Sequence, residues 1–297
     1  MRINAAIKEY IEHLRKIGKT ENTIMAYSSD LAQFEKFLQE HNISTLKQIT
    51  PEIIEKYKKH LQEKLKLGAS TISRKIHALK VFFKYVISKG YILINPMQNI
   101  TVERVEVDGP PRYLTKLEYM ALREAARKDP RLFAMVEVML QTGIRVGELS
   151  RLRLGDLRHT AKGMPYLYIM PYGSHPERVV PLPKSAYEAL QTYIQKVRNK
   201  IHKDDSKDAP LFVTKSGKHM PVRNIRDLIK KLYKEVGIND ATVNDLRNTF
   251  IMHHLKKGAN PALIARIVGH KHISTIERFI KHSHPKEQLG SLNINQL

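Results

Sequence analysis

Three short motifs carry the side chains in this sequence that could do chemistry together. Asn244 and Arg247 stand three residues apart at the head of an apolar helix marked by Leu246, Phe250, Ile251 and Leu255, so both polar groups leave it on one side. Gly258 ends that helix and Pro261 opens another, carrying Leu263, Ile264, Ile267 and Val268, from which the chain emerges at Gly269 and His270. Upstream, Thr142-Gly143-Ile144-Arg145 sets an arginine just after a glycine that permits a tight turn, with Glu148 three residues on to orient the guanidinium. Alone, that pair reads as an ordinary surface salt bridge. Two permanently charged, planar guanidinium groups from separate segments, however, match both non-bridging oxygens of a phosphodiester. Donors already in place stabilise the charge that grows on phosphorus during attack, so phosphoryl transfer is the chemistry these residues support.

In order and spacing the motifs resemble the tyrosine recombinases, the Xer and phage-integrase type of enzyme that breaks and rejoins DNA. That family carries Thr-Gly-x-Arg-x-x-Glu-Leu, then His-x-x-Arg, Gly-His and Ser-Thr-Thr-x-x-Tyr. This chain has Thr142, Gly143, Arg145, Glu148 and Leu149, then Asn244-Asp245-Leu246-Arg247, Gly269-His270 and Ser274-Thr275-Ile276-Glu277-Arg278-Phe279. The spacing survives, but Asn244 stands where His is usual and Phe279 where the nucleophilic Tyr is expected. A third departure is in the hairpin, where the resemblance calls for a catalytic Lys in a Gly-Lys-Gly-like turn ahead of Glu-Arg-x-Val-Pro-Leu. Glu177, Arg178, Val180, Pro181 and Leu182 match that ending, while the turn reads Gly173-Ser174-His175-Pro176. His175 is the one ionisable side chain at the tip able to donate a proton, against the plain reading of a solvent-exposed turn histidine.

Composition sets the frame around these motifs. With 297 residues, 42% of them hydrophobic, two cored domains are expected. A formal charge of +22, from 51 Lys and Arg against 29 Asp and Glu, exceeds what solubility needs and points to a polyanion, nucleic acid before an anionic membrane. The sequence shows no signal peptide, spanning apolar run or lipidation motif, so a cytoplasmic, nucleoid-associated protein that binds no membrane is expected. Zero cysteines excludes disulfides and thiolate metal sites.

Residues 1–103 read as a helical bundle: one apolar stripe from Ile3 to Leu14, a helix from Thr20 or Asn22, one capped by Thr50-Pro51 and one opened by Ser70. The pattern resembles the family's amino-terminal, SAM-like core-binding domain. Lys19, Thr20, Asn22, Thr23, Arg74, Lys75 and Lys80 gather near two helix starts, where cations and backbone donors can grip phosphates; the bland reading is a solvated face. A linker falls at about 104–112, where Gly109 and Pro110-Pro111 break all periodicity, and 113–297 form the second domain, with a tail from about 285. In it Thr115 and Glu118 form a capping box, 166–183 alternate as a β-hairpin, Leu211-Phe212-Val213 reads as a short strand, and Arg223, Asn224 and Arg226 open a basic helix as backbone or groove contacts. The fold expected is mainly α with a small antiparallel sheet in the second domain; by resemblance, the two domains form a C-shaped clamp on DNA.

By resemblance the chain is a site-specific recombinase in which a tyrosine attacks DNA to give a 3′-phosphotyrosyl link, Arg145, Arg247 and His270 hold the phosphate, Asn244 donates through its amide, and neither metal nor cofactor takes part. The pairs His270/His272 and His282/His284 lack carboxylates at ligand spacing. The partners implied are a specific duplex site and a homotetramer on two duplexes, joined by tail exchange through Leu289 and Leu292. Phenylalanine cannot attack phosphorus. Either Phe279 replaces a tyrosine to hold a complex before cleavage, the favoured reading because the rest of the pocket is present, or the protein naturally binds without cutting on a recombinase scaffold. Phe279 as plain core is the third reading. RNA is disfavoured, since no aromatic-rich strand motif offers base stacking.

Overall fold

The computed structural model describes residues 1–101, 109–173, 175–270 and 274–283, the side chain of Ser274 excepted. The chain divides into two compact units, Met1–Asp108 and Gly109–Leu297. No helix among the described residues is long and apolar enough to cross a membrane.

The first unit is built from α1 (Ile3–Lys16), α2 (Glu21–Glu40), α3 (Pro51–Lys59) and α4 (Ala69–Ser88). Thr20 caps α2, its Oγ1 accepting from the Thr23 amide, so two of the expected phosphate ligands are spent on the helix start. A π-helical turn, His60–Lys64, continues α3, and Pro51 occupies its first turn, where a missing N–H costs nothing. The apolar stripes of the four helices close over Phe34, Tyr57, Phe82 and Phe83, all wholly buried.

One pair of charges crosses this core. Asp30 on α2 is 3% exposed and accepts from Lys75 at 2.8 Å, and Arg74 also pairs with it. Lys75 is therefore a buried counter-ion rather than a free phosphate contact, because the helical stripe that places it also faces it toward α2. Lys19, Asn22 and Lys80 are exposed, and Arg74 is exposed while paired. Asp30→Ala leaves the Lys75 ammonium buried without its partner. We expect it to destabilise the chain by about 3–5 kcal/mol in urea unfolding, against well under half of that for Lys80→Ala.

The second unit opens with α5 (Lys116–Ala126), whose Thr115 cap and Glu118 form the reciprocal box expected. Next come α6 (Pro130–Thr142) and α7 (Val146–Arg151). Strands β1 (Leu157–His159), β2 (Pro165–Ile169) and β3 (Arg178–Pro181) then form an antiparallel sheet in that order, with Leu167 facing Leu157 on one side and Val180 on the other. Helix α8 (Lys184–Tyr193) runs through a π turn into the short α9 (Asn199–Ile201). The remaining helices are α10 (Val222–Glu235), α11 (Val243–Lys256), α12 (Pro261–Val268) and α13 (Ser274–Ile280). Leu211-Phe212-Val213 forms no strand; Val213 makes an isolated bridge with His219, and Leu211 donates to the Leu152 carbonyl. Apolar α6 runs through the main core against α8 and α11, while a second cluster joins α11, α12 and α13.

Candidate active site

The α6–α7 junction positions Arg145. Gly143 caps α6 in the left-handed conformation (φ 63°), and a Cβ there would lie 2.5 Å from Cδ1 of Phe250 and 3.0 Å from Cγ1 of Val268. Arg145 then caps α7, and Glu148, in the first turn, reaches back to accept from the Arg145 amide at 2.8 Å and from its Nη1 at 3.0 Å. Arg145 also donates to the carbonyls of Val268 (3.1 Å) and Gly269 (2.8 Å), which ties the first motif to the turn bearing His270. That turn is set by Gly269, which caps α12 at φ 71° while the His270 amide donates back to Ala265 at 2.9 Å.

Arg247 enters from α11, 7% exposed, with Nη1 donating to the Gly143 carbonyl at 2.5 Å. Burial first, then the charges of Arg145 and Arg178, push its guanidinium down to about 9. Burial likewise leads the descent of His270 to about 4, followed by Arg247, Arg145, Arg178 and His175. Its ring is therefore neutral at pH 7. Burial would raise Glu148, but the hydrogen bonds and charge of Arg178, with those of Arg145, overcome it and hold the carboxyl at about 2. Among the described residues, Arg247 Nη2 and His270 Nδ1 are buried without a hydrogen-bond partner. Three guanidinium groups thus gather around one carboxylate, with a guanidinium donor and an imidazole nitrogen left over.

Beside them opens a cleft of about 650 Å³ lined by His175, Arg178, Arg266, Gly269 and His270 among others. His175 is held at the hairpin tip by paired backbone bonds with Tyr172, 3.0 Å each way, and the Arg151 guanidinium lies 3.7 Å above the Tyr172 ring. Asn244, one turn before Arg247, is exposed.

The Phe279 ring does not line this cleft. It is 4% exposed and packed in the apolar cluster of α11, α12 and α13 with Phe250, Val268 and Ile276. A phenyl ring lacks the hydroxyl that would reward a place among charges, so burial in hydrocarbon is its lowest-energy position. Of the readings the sequence offers for Phe279, these surroundings are those of a core residue.

A model of the phage integrase family matches residues 112–286, and one of the phage integrase N-terminal SAM-like domain matches residues 7–90. The chain belongs to the phage integrase family. This integrase-family chain is 30% identical to tyrosine recombinase XerC of Thermodesulfovibrio yellowstonii, over 91% of its own length and 89% of that protein. Its fold resembles the crystal structure of XerA recombinase, at 26% identity and a TM-score of 0.53 over 99% of this chain and 100% of that one. It also resembles a lambda integrase tetramer bound to a Holliday junction, at 19% identity and a TM-score of 0.75 over 96% and 79%. The helical first unit and the helical second unit with its three-stranded sheet are the SAM-like and catalytic folds of this tyrosine recombinase family.

In this chain, Arg223, Asn224 and Arg226 are exposed near the start of α10, as a groove or backbone contact requires. His272, His284 and the tail with Leu289 and Leu292 lie outside the described residues. No group of three or more His, Cys, Asp or Glu able to hold a metal occurs among the described residues. The residue that sequence reading passed over is Arg178. It was visible only as part of a matched strand ending, yet its guanidinium meets Glu148 through both nitrogens and its Nε donates to Ile267 at 2.7 Å.

Gly143 is the turn on which the site hangs. A Cβ there is strained by its positive φ and also strikes Phe250, whereas Gly258, at φ 78°, has nothing within 4 Å. Gly143→Ala is expected to cost about 2–4 kcal/mol in chemical denaturation and Gly258→Ala about 1 kcal/mol, the difference measuring the packing clash alone.

Proposed function

We propose that this chain binds duplex DNA at a specific site as a tyrosine-type recombinase, with Arg145, Arg247, His270 and Asn244 gripping the scissile phosphate. The single observation that carries this reading is the cationic cradle around Glu148, in which Arg247 Nη2 and His270 Nδ1 are buried and unpartnered among the described residues. An unmet guanidinium donor and an unpaired imidazole nitrogen beneath a charge excess fit an anion that arrives from outside.

In the reaction this family performs, a tyrosine oxygen forms a bond to phosphorus and the bond to the 5′ oxygen breaks, that oxygen taking up a proton. A 5′ hydroxyl of the partner strand then reverses the step, so the phosphodiester bond energy is kept in the covalent link and no ATP is consumed. Phe279 cannot form that bond. We read the chain as able to bind and position DNA but not cut it, without metal or cofactor, as protomers that pair into a tetramer on two duplexes in the cytoplasm. His175 lines the cleft and stands in the turn where the family resemblance expects a lysine. Lys19, Asn22, Arg74 and Lys80 on the first unit and Arg223, Asn224 and Arg226 on the second are its proposed DNA contacts, within domains divided at about 104–112.

A second reading has its own observation. Phe279 is built into an apolar cluster rather than left at the cleft, as in a protein that naturally binds DNA on a recombinase scaffold without cleaving it.

Selection of duplexes from a random pool by this chain tests the binding reading. We expect one enriched site, footprinted on both sides of a short centre, with duplex RNA failing to compete and affinity falling steeply with salt. Failure to enrich any sequence, or equal competition by RNA, would count against a site-specific DNA protein.

A further inference from the structure

Arg178 on β3 joins the three segments that make the site. Its Nη1 and Nη2 donate to Glu148 Oε1 and Oε2 at 2.8 and 2.7 Å, while Nε donates to the Ile267 carbonyl at the end of α12. Its side chain is 9% exposed, so these bonds are made away from water. A Cβ on Gly269 would lie 2.9 Å from the Arg178 guanidinium carbon, so a side chain there would push the guanidinium out of this position in addition to straining the positive φ.

Charge balance shows what this arrangement does. Glu148 is the carboxylate between Arg145 and Arg178, and the contacts divide unequally. Arg178 takes both oxygens through paired nitrogens, the stronger geometry, while Arg145 meets one of them through a single Nη1. We propose that Arg178 is the counter-ion of Glu148 and so the positioning residue that leaves the Arg145 charge uncancelled for the phosphate, an inference that rests on the phosphate reading above. Without Arg178, Glu148 has Arg145 as its main partner, and the pair becomes neutral where the incoming anion needs a cation. Glu148 keeps its task of fixing Arg145 through the backbone amide only because a second arginine holds its charge.

The test uses this chain and its selected duplex, synthesised with a neutral methylphosphonate at each protected backbone position in turn. The unaltered chain should bind the natural duplex about tenfold more tightly than the duplex neutralised at the position that enters the cleft. Arg178→Ala should bring that ratio close to one, and Arg178→Lys, which keeps a cation, should retain most of it. Arg178→Ala combined with Glu148→Gln should recover it, because the uncompensated carboxylate is gone. A packing role predicts the opposite, since removing both partners harms packing further. Retention of the ratio by Arg178→Ala, or no recovery in the double variant, overturns the proposal. A ratio of one at every position for the unaltered chain sinks the phosphate reading itself, and the inference falls with it.

Discussion

Phe279→Tyr is expected to turn a DNA binder into a protein that becomes covalently attached to DNA. On a nicked copy of the selected duplex, where the short flanking strand diffuses away and cannot reverse the step, the variant should accumulate an adduct that survives denaturing electrophoresis; the parent should show none. The hydroxyl is added to a ring that is 4% exposed among Phe250, Val268 and Ile276. An unpaired buried hydroxyl costs about 1–3 kcal/mol. The free variant should therefore be less stable than the parent by about that amount, and binding of the duplex, with the new oxygen in the cleft, should restore the loss. An adduct through the 3′ phosphate identifies Phe279 as the nucleophile's position. Specific binding with no adduct favours the naturally non-cutting protein instead.

Arg247 is expected to trade stability against phosphate chemistry. Each tenfold change in proton affinity is worth about 1.4 kcal/mol, and the guanidinium falls well below the usual arginine range, to about 9, because it is buried beside Arg145 and Arg178. The unfolded chain holds that proton more tightly than the folded one, so this group's contribution to stability rises with pH above about 9 until the unfolded chain also releases the proton. At pH 7 the full cost of burying the charge is present. Arg247→Met removes it and gives up one hydrogen bond to Gly143. The balance should raise stability by about 1–2 kcal/mol in urea unfolding at pH 7. In the Phe279→Tyr background the same change should slow adduct formation by about 10²–10³-fold, since a donor aimed at developing charge is lost. Lower stability combined with unchanged adduct formation would show Arg247 to be a structural cation.

The sequence reading succeeded where a local pattern has one structural answer. The alternation in 166–183 became β2 and β3, and Thr115 with Glu118 capped α5 as spaced. It failed where the partner lies far along the chain. Lys75 looked like a cation at a helix start, and only the packing of α4 on α2 brings Asp30, 45 residues away, against it. Leu211-Phe212-Val213 has strand composition, but its neighbours are a loop and His219 rather than a sheet edge. Strand β1 has three residues, too few for alternation to show. Arg145, Arg247 and His270 were legible from type and spacing, because each follows or heads a helix end that glycine or a cap announces. Arg178 was not, since its role exists only when residues 30 and 89 positions away come together on it.

Three displaced ionisations in and beside the cleft have one shared result. Glu148 titrates near 2, His270 near 4 and Arg247 near 9, so none of them changes state between pH 5 and 8. With no strand bound, the Glu148 carboxylate and the Arg247 guanidinium stay charged and the His270 imidazole stays uncharged over that range. A phosphate that neutralised the arginines would raise the imidazole again, because their charges are part of what holds it down, so arrival of the strand is itself the event that changes its affinity for a proton.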